Sequence, residues 1–239
     1  MTGENTGGKL FLIPTPLLAN ATNQIPPATL EILLRLNYFV VEELKTARRL
    51  LRAAGYAGDF SEKNFVLMNE HEKESAIRTA LNWLKEKKAV ALMSEAGAPA
   101  VADPGTELVL AAHQNNFRVI PLSGPSSILQ SVMASGLGGQ NFSFVGYLPA
   151  KNPARQNEII RLEKFSAEKK SAQFFIETPY RNNQLLLEIL SVCKNETLLS
   201  IGCDLSASTE FVRSKTVAAW KKQTPDLNKR PAVFGLLAI

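Results

Sequence analysis

Five short apolar runs punctuate the first half of the chain: KLFLI (9–13), YFVVEE (38–43), NFVLM (64–68), AVALM (89–93) and FRVIPL (117–122). Amphipathic stretches lie between them. PPATLEILLRL (26–36) opens on proline and carries leucines at helical spacing. LKTARRLLRAAG (44–55) ends on Gly55, and NEHEKESAIRTALNWLKEKK (69–88) is acidic at its start and basic at its end, as the helix dipole favours. PGTELVLAAHQNN (104–116) reads as a fourth helix, with Asp103 as its N-cap and Pro104 as its first residue. The runs are continuously apolar rather than alternating. Strands of that kind belong to a mostly parallel sheet with helices on both faces.

Right-handed crossovers put the strand-to-helix loops on one edge of such a sheet, where ligands bind. Three loops qualify: IPTPLL (13–18), SEAGAPAVADP (94–104) and LSGPSS (122–127). The second is rich in small residues. Gly97, Ala98, Pro99, Ala100 and Ala102 let a ligand lie against the main chain and be read by backbone N–H and C=O groups. A tight connection that merely needs small residues fits the pattern equally well.

From about Phe142 the pattern changes. FSFVGYLP (142–149), SAQFFIE (171–177), TLLSIGCDL (197–205), TEFVRS (209–214) and AVFGLLAI (232–239) read as strands. The helices are PARQNEIIRLEKFSAEKK (153–170), YRNNQLLLEILSVC (180–193) and TVAAWKKQT (216–224). Strands here often follow one another directly, which points to an α+β domain with a mixed sheet. The expected division is 9–121 and 122–239.

Several chemistries lack their sequence signatures. There is no G-x-x-x-x-G-K-[ST] loop, and GLGG (136–139) lacks the dinucleotide-binding order. HEKES has one histidine where a zinc-protease helix has two, so His71 and His113 read as ordinary surface or half-buried residues and no metal is expected. Cys193 and Cys203 sit in apolar contexts as core thiols of a reducing compartment. LFLI is too short for a signal-peptide core and no run approaches membrane-spanning length, so a soluble, cytoplasmic protein is expected. The net charge of +5, from 27 Lys and Arg against 22 Asp and Glu, permits an anionic partner without identifying one.

The segments LFLIPTP, VALMSEAGAPAVADPG, VIPLSGPSSI, SGLGGQNFSFVGYLPAK, FFIETPYR and PAVFGLLAI occur in this order along nearly the whole chain. Together they resemble the tetrapyrrole-methylase superfamily of S-adenosylmethionine-dependent methyltransferases. Within it they are most similar to the ribosomal RNA small-subunit methyltransferase I family, which methylates a cytidine 2′-hydroxyl. The resemblance implies two α/β domains with the cofactor in the cleft between them, a homodimer, and ribosomal RNA or the small subunit as substrate. By position, it assigns Pro16 to the first cofactor loop, Ser94, Glu95, Gly97, Pro99, Val101 and Ala102 to the second, and Ser126 and Ser127 to the third. Thr178, Leu205 and Ala232 are the contributions of the second domain. The family's PTPIGN has Leu18 in place of its glycine here, its EDTR appears as EELK (42–45), and its Asp-Ala-Gly-Thr-Pro is Glu-Ala-Gly-Ala-Pro.

Methylating a ribose hydroxyl calls for alignment of the acceptor, a base for its proton and a cation near the developing alkoxide. Lys151, after the turn in YLPAK, and Glu177, at a strand end beside TPYR, are the candidate catalytic groups. Tyr147, Arg155 and Arg181 are the candidate substrate contacts, Tyr147 by stacking on a base. A solvated lysine and a helix-capping glutamate are the plainer alternatives. A tetrapyrrole carbon is the alternative acceptor, although IPTPLL lacks the glycine-rich first loop usual in tetrapyrrole enzymes. A cofactor-binding paralogue without catalysis is the third reading.

Overall fold

A computed structural model describes residues 7–19, 21–69 and 72–239. His71 lies outside the described residues. The chain forms two compact units, one ending at Ser126 and one running from Ser127 to Ile239.

The first unit alternates β1 (Lys9–Ile13), α1 (Pro27–Arg35), β2 (Tyr38–Val41), α2 (Leu44–Ala53), β3 (Asn64–Leu67), α3 (Lys73–Lys85), β4 (Ala89–Met93), α4 (Thr106–Gln114) and β5 (Arg118–Pro121). The five strands form one parallel sheet in the order β3-β2-β4-β1-β5. Successive residues serve opposite faces. Leu10, Val40, Val90 and Leu92 pack with Ala76, Ala80 and Leu84 of α3 and Leu108 and Ala112 of α4. Ile13, Phe39, Val41, Ala91 and Met93 pack with Leu33 of α1 and Ala47, Leu50 and Leu51 of α2. Burial on both faces is why these strands are apolar beyond their first positions, where Lys9, Asn64 and Arg118 are exposed. β5 tolerates Pro121 because it is an edge strand and needs fewer ladder donors.

The residues after β5 stay with this unit. Thr29 Oγ1 donates to the Ser123 carbonyl at 2.9 Å. A Cβ on Gly124 would stand 2.4 Å from Pro14 Cβ, so only glycine lets the two loops pass this closely. The division therefore falls after Ser126, a few residues beyond the end of the last strand.

The second unit contains α5 (Ser127–Ser135), β6 (Phe142–Tyr147), α6 (Ala154–Lys169), β7 (Ala172–Ile176), α7 (Asn182–Val192), β8 (Leu198–Cys203), β9 (Phe211–Thr216), α8 (Val217–Lys222) and β10 (Ala232–Leu237). Its sheet runs β6-β7-β10-β8-β9, with β6 and β7 parallel and every other pair antiparallel. On one face, Val132 of α5 packs with Leu137, Ala172, Phe174 and Val233. The other face is covered by Ile159 and Leu162 of α6, Leu185, Leu186 and Ile189 of α7, and Val217 and Trp220 of α8. The α/β fold with a parallel and a mixed sheet is thus observed, and α5 is a helix that the sequence reading leaves unassigned. No helix among the described residues is long and apolar enough to cross a membrane.

Candidate cofactor site

Strand order brings the three loops together. β4, β1 and β5 are neighbours, so the segments after them leave adjacent carboxyl ends. From β1 the chain turns toward β2 on one side, and from β4 it turns toward β5 on the other. Helix α1 packs on one face of the sheet and α4 on the other, so the two connections leave adjacent strands by opposite faces, which is where open α/β sheets form a ligand-binding crevice.

The loops are bonded to one another. Thr15 and Gly97 exchange backbone hydrogen bonds of 2.8 and 2.9 Å. Thr15 Oγ1 donates to the Ser94 carbonyl at 2.8 Å. Pro16, Ser94, Gly97 and Pro99 are buried, whereas Glu95, Val101 and Ala102 are exposed. Ser126 is half-buried and Ser127 opens α5.

Between β4 and α4 the backbone takes positive φ four times: Gly97 at 78°, Ala100 at 64°, Ala102 at 61° and Gly105 at 127°. The two alanines cost about 1 kcal/mol or more each in this conformation. Such strain persists where surrounding structure imposes it, and it clusters at ligand sites. A Cβ on Gly97 would meet only Leu17 Cδ2, at an ordinary contact of 3.6 Å, so the backbone here is not crowded by other groups. A wall of small residues on a rigid loop fits an extended organic cofactor bound through main-chain groups.

Asp103 does not cap α4. That helix starts at Thr106, its N-cap is Gly105, and no side chain caps it. Asp103 instead joins Glu42 and Glu95 around the loop. Burial pushes its carboxyl up to about 7, and the charges of Glu42 and Glu95 add to this against a hydrogen bond from Ser94. Glu42 Oε2 accepts the Glu95 amide at 2.8 Å, and the Glu42 amide donates to the Met93 carbonyl at 3.1 Å. The sequence reading missed this grouping. Its signal was the EELK segment, which strand order places next to the end of β4.

In the second unit, register gathers the remaining candidates at one end of the sheet. Tyr147 pairs with Ile176, Val233 with Ile176, and Cys203 with Ala232. Tyr147, Glu177, Thr178, Leu205 and Ala232 therefore share that end. Tyr147 is exposed, Thr178 half-buried, and Leu205 and Ala232 buried. Lys151 is exposed after β6.

Two expected roles change here. Arg155 is not a surface contact for a substrate: its side chain is 1% exposed and bonds Glu188 through Nε and Nη2, both at 2.6 Å. Its Nη1 lies 3.5 Å from Glu177 Oε2. It is a structural cation. Glu177 is held as an anion. Burial acts to raise its pKa, but hydrogen bonds from Arg181 and the Thr178 amide, with the charges of Arg181 and Arg155, outweigh burial and leave it below the ordinary carboxylate value. A carboxylate held this way is a weak proton acceptor. Arg181 donates to Glu177 Oε1 at 2.6 Å, and its Nε is buried without a hydrogen-bond partner among the described residues.

His113 is exposed near the end of α4, and no His, Cys, Asp or Glu cluster among the described residues suits a metal. Both thiols are buried and unpaired.

The fold is that of the tetrapyrrole methylases. Uroporphyrin-III C-methyltransferase from Thermus thermophilus, solved with S-adenosylhomocysteine, matches at a TM-score of 0.61 and 16% identity, covering 96% of this chain and 97% of the other. A cobalt-precorrin-4 methyltransferase matches at 0.63 and 14%, covering 96% and 94%. Similarity in sequence is greater elsewhere. The ribosomal RNA small subunit methyltransferase I of Escherichia coli is 30% identical over 99% of this chain and 79% of its own length. That of Vibrio cholerae is 30% identical over 91% and 72%. The chain belongs to the ribosomal RNA small subunit methyltransferase I family. No protein-family model matches it.

Proposed function

We propose that the protein transfers a methyl group from S-adenosylmethionine to a ribose 2′-hydroxyl of small-subunit ribosomal RNA. The observation that carries this is the 30% identity to ribosomal RNA small subunit methyltransferase I across 99% of the chain. The tetrapyrrole methylases match at about half that identity and speak to the fold.

The residues of the first unit fit the cofactor. Pro16, Ser94, Glu95, Gly97, Pro99, Val101, Ala102 and Ser126 lie on segments leaving three adjacent strands, Ser127 follows as the first residue of α5 in the second unit, and the backbone at Gly97 is the wall against which the cofactor would lie. Thr178, Leu205 and Ala232 are the proposed contacts of the second unit. When bound, the cofactor supplies an electrophilic methyl on a sulfonium. The chain's task is then to align the acceptor oxygen, which accounts for much of the rate in a displacement of this kind. Asp103 suits the hydroxyl proton better than Glu177, because its proton affinity matches a base working near neutral pH. Lys151 is the proposed cation near the developing alkoxide. Tyr147 and Arg181 are the proposed RNA contacts, and the unpartnered Arg181 Nε is a donor suited to a phosphate or ribose oxygen.

The reading includes action in the cytoplasm and a homodimer. The dimer is supported by Leu129 and Met133, which share a face of α5 and are 56% and 83% exposed.

The test uses radiolabelled S-adenosylmethionine with three acceptors: small ribosomal subunits, naked small-subunit RNA and uroporphyrinogen. Label is expected in RNA and absent when the target nucleotide is a 2′-deoxynucleotide. Label in the tetrapyrrole alone overturns the assignment. Gly97→Val, whose branched side chain would fill the wall at positive φ, is expected to abolish calorimetric binding of the cofactor.

A further inference from the structure

One face of α2 carries a cationic stripe that the cofactor site does not use. Lys45, Arg48, Arg49 and Arg52 stand at i, i+3, i+4 and i+7, so they share one side of the helix over about 10 Å. The opposite side is buried through Ala47, Leu50 and Leu51. Lys45, Arg48 and Arg52 are exposed and Arg49 half-buried. Among the described residues, no carboxylate lies within ion-pair distance of any of the four.

Aromatic rings border the stripe. The Arg52 guanidinium lies 4.4 Å from the Phe60 ring centre and 5.5 Å from that of Tyr56. The Arg48 guanidinium lies 5.4 Å from Phe60 and 5.5 Å from Phe65. An arginine resting on a ring is already ordered and partly desolvated, so it loses less freedom on meeting an anion. Acids nearby are engaged locally: Glu43 accepts the Thr46 amide, Asp59 accepts the Ser61 amide, and Glu62 accepts from the Tyr56 hydroxyl.

We infer that this face of α2, with Phe60 and Tyr56, is a second RNA-binding surface, which holds the phosphate backbone of the substrate away from the cofactor loops. The inference rests on the RNA assignment above. A row of arginines held on aromatic rings suits RNA, whose phosphates meet the guanidinium groups and whose unpaired bases can stack on the guanidinium planes. A lipid surface would call for large apolar side chains projecting along the same face, and the stripe positions hold none.

Affinity for a small-subunit RNA transcript is measured at several salt concentrations, with S-adenosylhomocysteine present, for wild type, Arg48→Gln/Arg49→Gln and a control, Lys169→Gln/Lys222→Gln. The control removes the same charge from exposed positions of the second unit. The stripe variant is expected to bind roughly tenfold more weakly, and to lower the salt slope by about 1.4 for two lost contacts. Its cofactor affinity should be unchanged, and the control should match wild type. Equal losses in variant and control, or unchanged affinity in the variant while wild type still methylates RNA, overturn this surface and leave the RNA assignment standing. A wild type that binds cofactor yet neither binds nor methylates RNA overturns both. Loss confined to binding of phosphatidylserine vesicles overturns it in favour of a membrane surface.

Discussion

At the scale of residues, the structure separates two groups of carboxylates that look alike in sequence. Glu177 and Glu188 are paired with Arg155 and Arg181, and the pairing, with the Thr178 amide, holds Glu177 below the ordinary carboxylate value. Asp103 faces two further acids and holds its proton to about 7, against an ordinary value of 3.8. The sign of the consequence is fixed. Between those values the folded chain keeps a proton that the unfolded chain has released. The stability contributed by the protonated carboxyl is therefore complete below the ordinary value and lost as pH rises to about 7. Asparagine resembles the protonated acid. Asp103→Asn is thus expected to melt with wild type at pH 4 and a few degrees above it at pH 8, by calorimetry. A difference that does not depend on pH would show that Asp103 titrates like an exposed aspartate. If Asp103 also takes the hydroxyl proton, the more stable variant is the less active one.

At the scale of elements, the segment from β4 to α4 separates two uses of glycine. A Cβ on Gly97 would make only an ordinary contact, with Leu17 Cδ2 at 3.6 Å, whereas a Cβ on Gly105 would lie 2.7 Å from Leu92 Cδ2 in the core, at a φ of 127°. Gly105→Ala is expected to cost roughly 2–3 kcal/mol in chemical denaturation, since it adds backbone strain to a core clash. Gly97 substitutions should act mainly on cofactor affinity. The strands of the first unit were legible because burial on both faces leaves polar residues only at their first positions, Lys9, Asn64 and Arg118. The same holds for the loops, since small residues after an apolar run mark a carboxyl end. Helix α5 was not legible: Leu129 and Met133 point outward, so SILQSVMAS shows no single apolar stripe. The start of α4 was misplaced because Asp-Pro-Gly imitates a cap, while Gly105 holds a φ that only glycine adopts readily. Arg155 reads as one more basic residue of a charged helix. Its partners come from the end of β7 and from α7, a pairing that no local pattern reveals.

For the molecule as a whole, each unit has its own sheet and core, and the two indoles and two thiols report on them separately. Trp83 lies in the first unit, its ring 5.1 Å from that of Tyr38. Trp220 lies in the second, with Nε1 bonded to the Leu199 carbonyl at 2.8 Å. Both cysteines also belong to the second unit. Cys193 follows α7 and Cys203 ends β8, and both side chains pack in the same core as Trp220. Burial pushes the Cys203 thiol up to about 11 and the Cys193 thiol higher still. Disulfide reagents attack through the thiolate, so burial protects these groups both by access and by ionisation. In Trp83→Phe, which leaves Trp220 as the one indole of the chain, labelling by a chromogenic disulfide at pH 8 should be negligible in buffer. It should rise through the same denaturant range as the Trp220 fluorescence change, since both require the core of the second unit to open. Native protein that labels as fast as denatured protein would place the thiols outside that core.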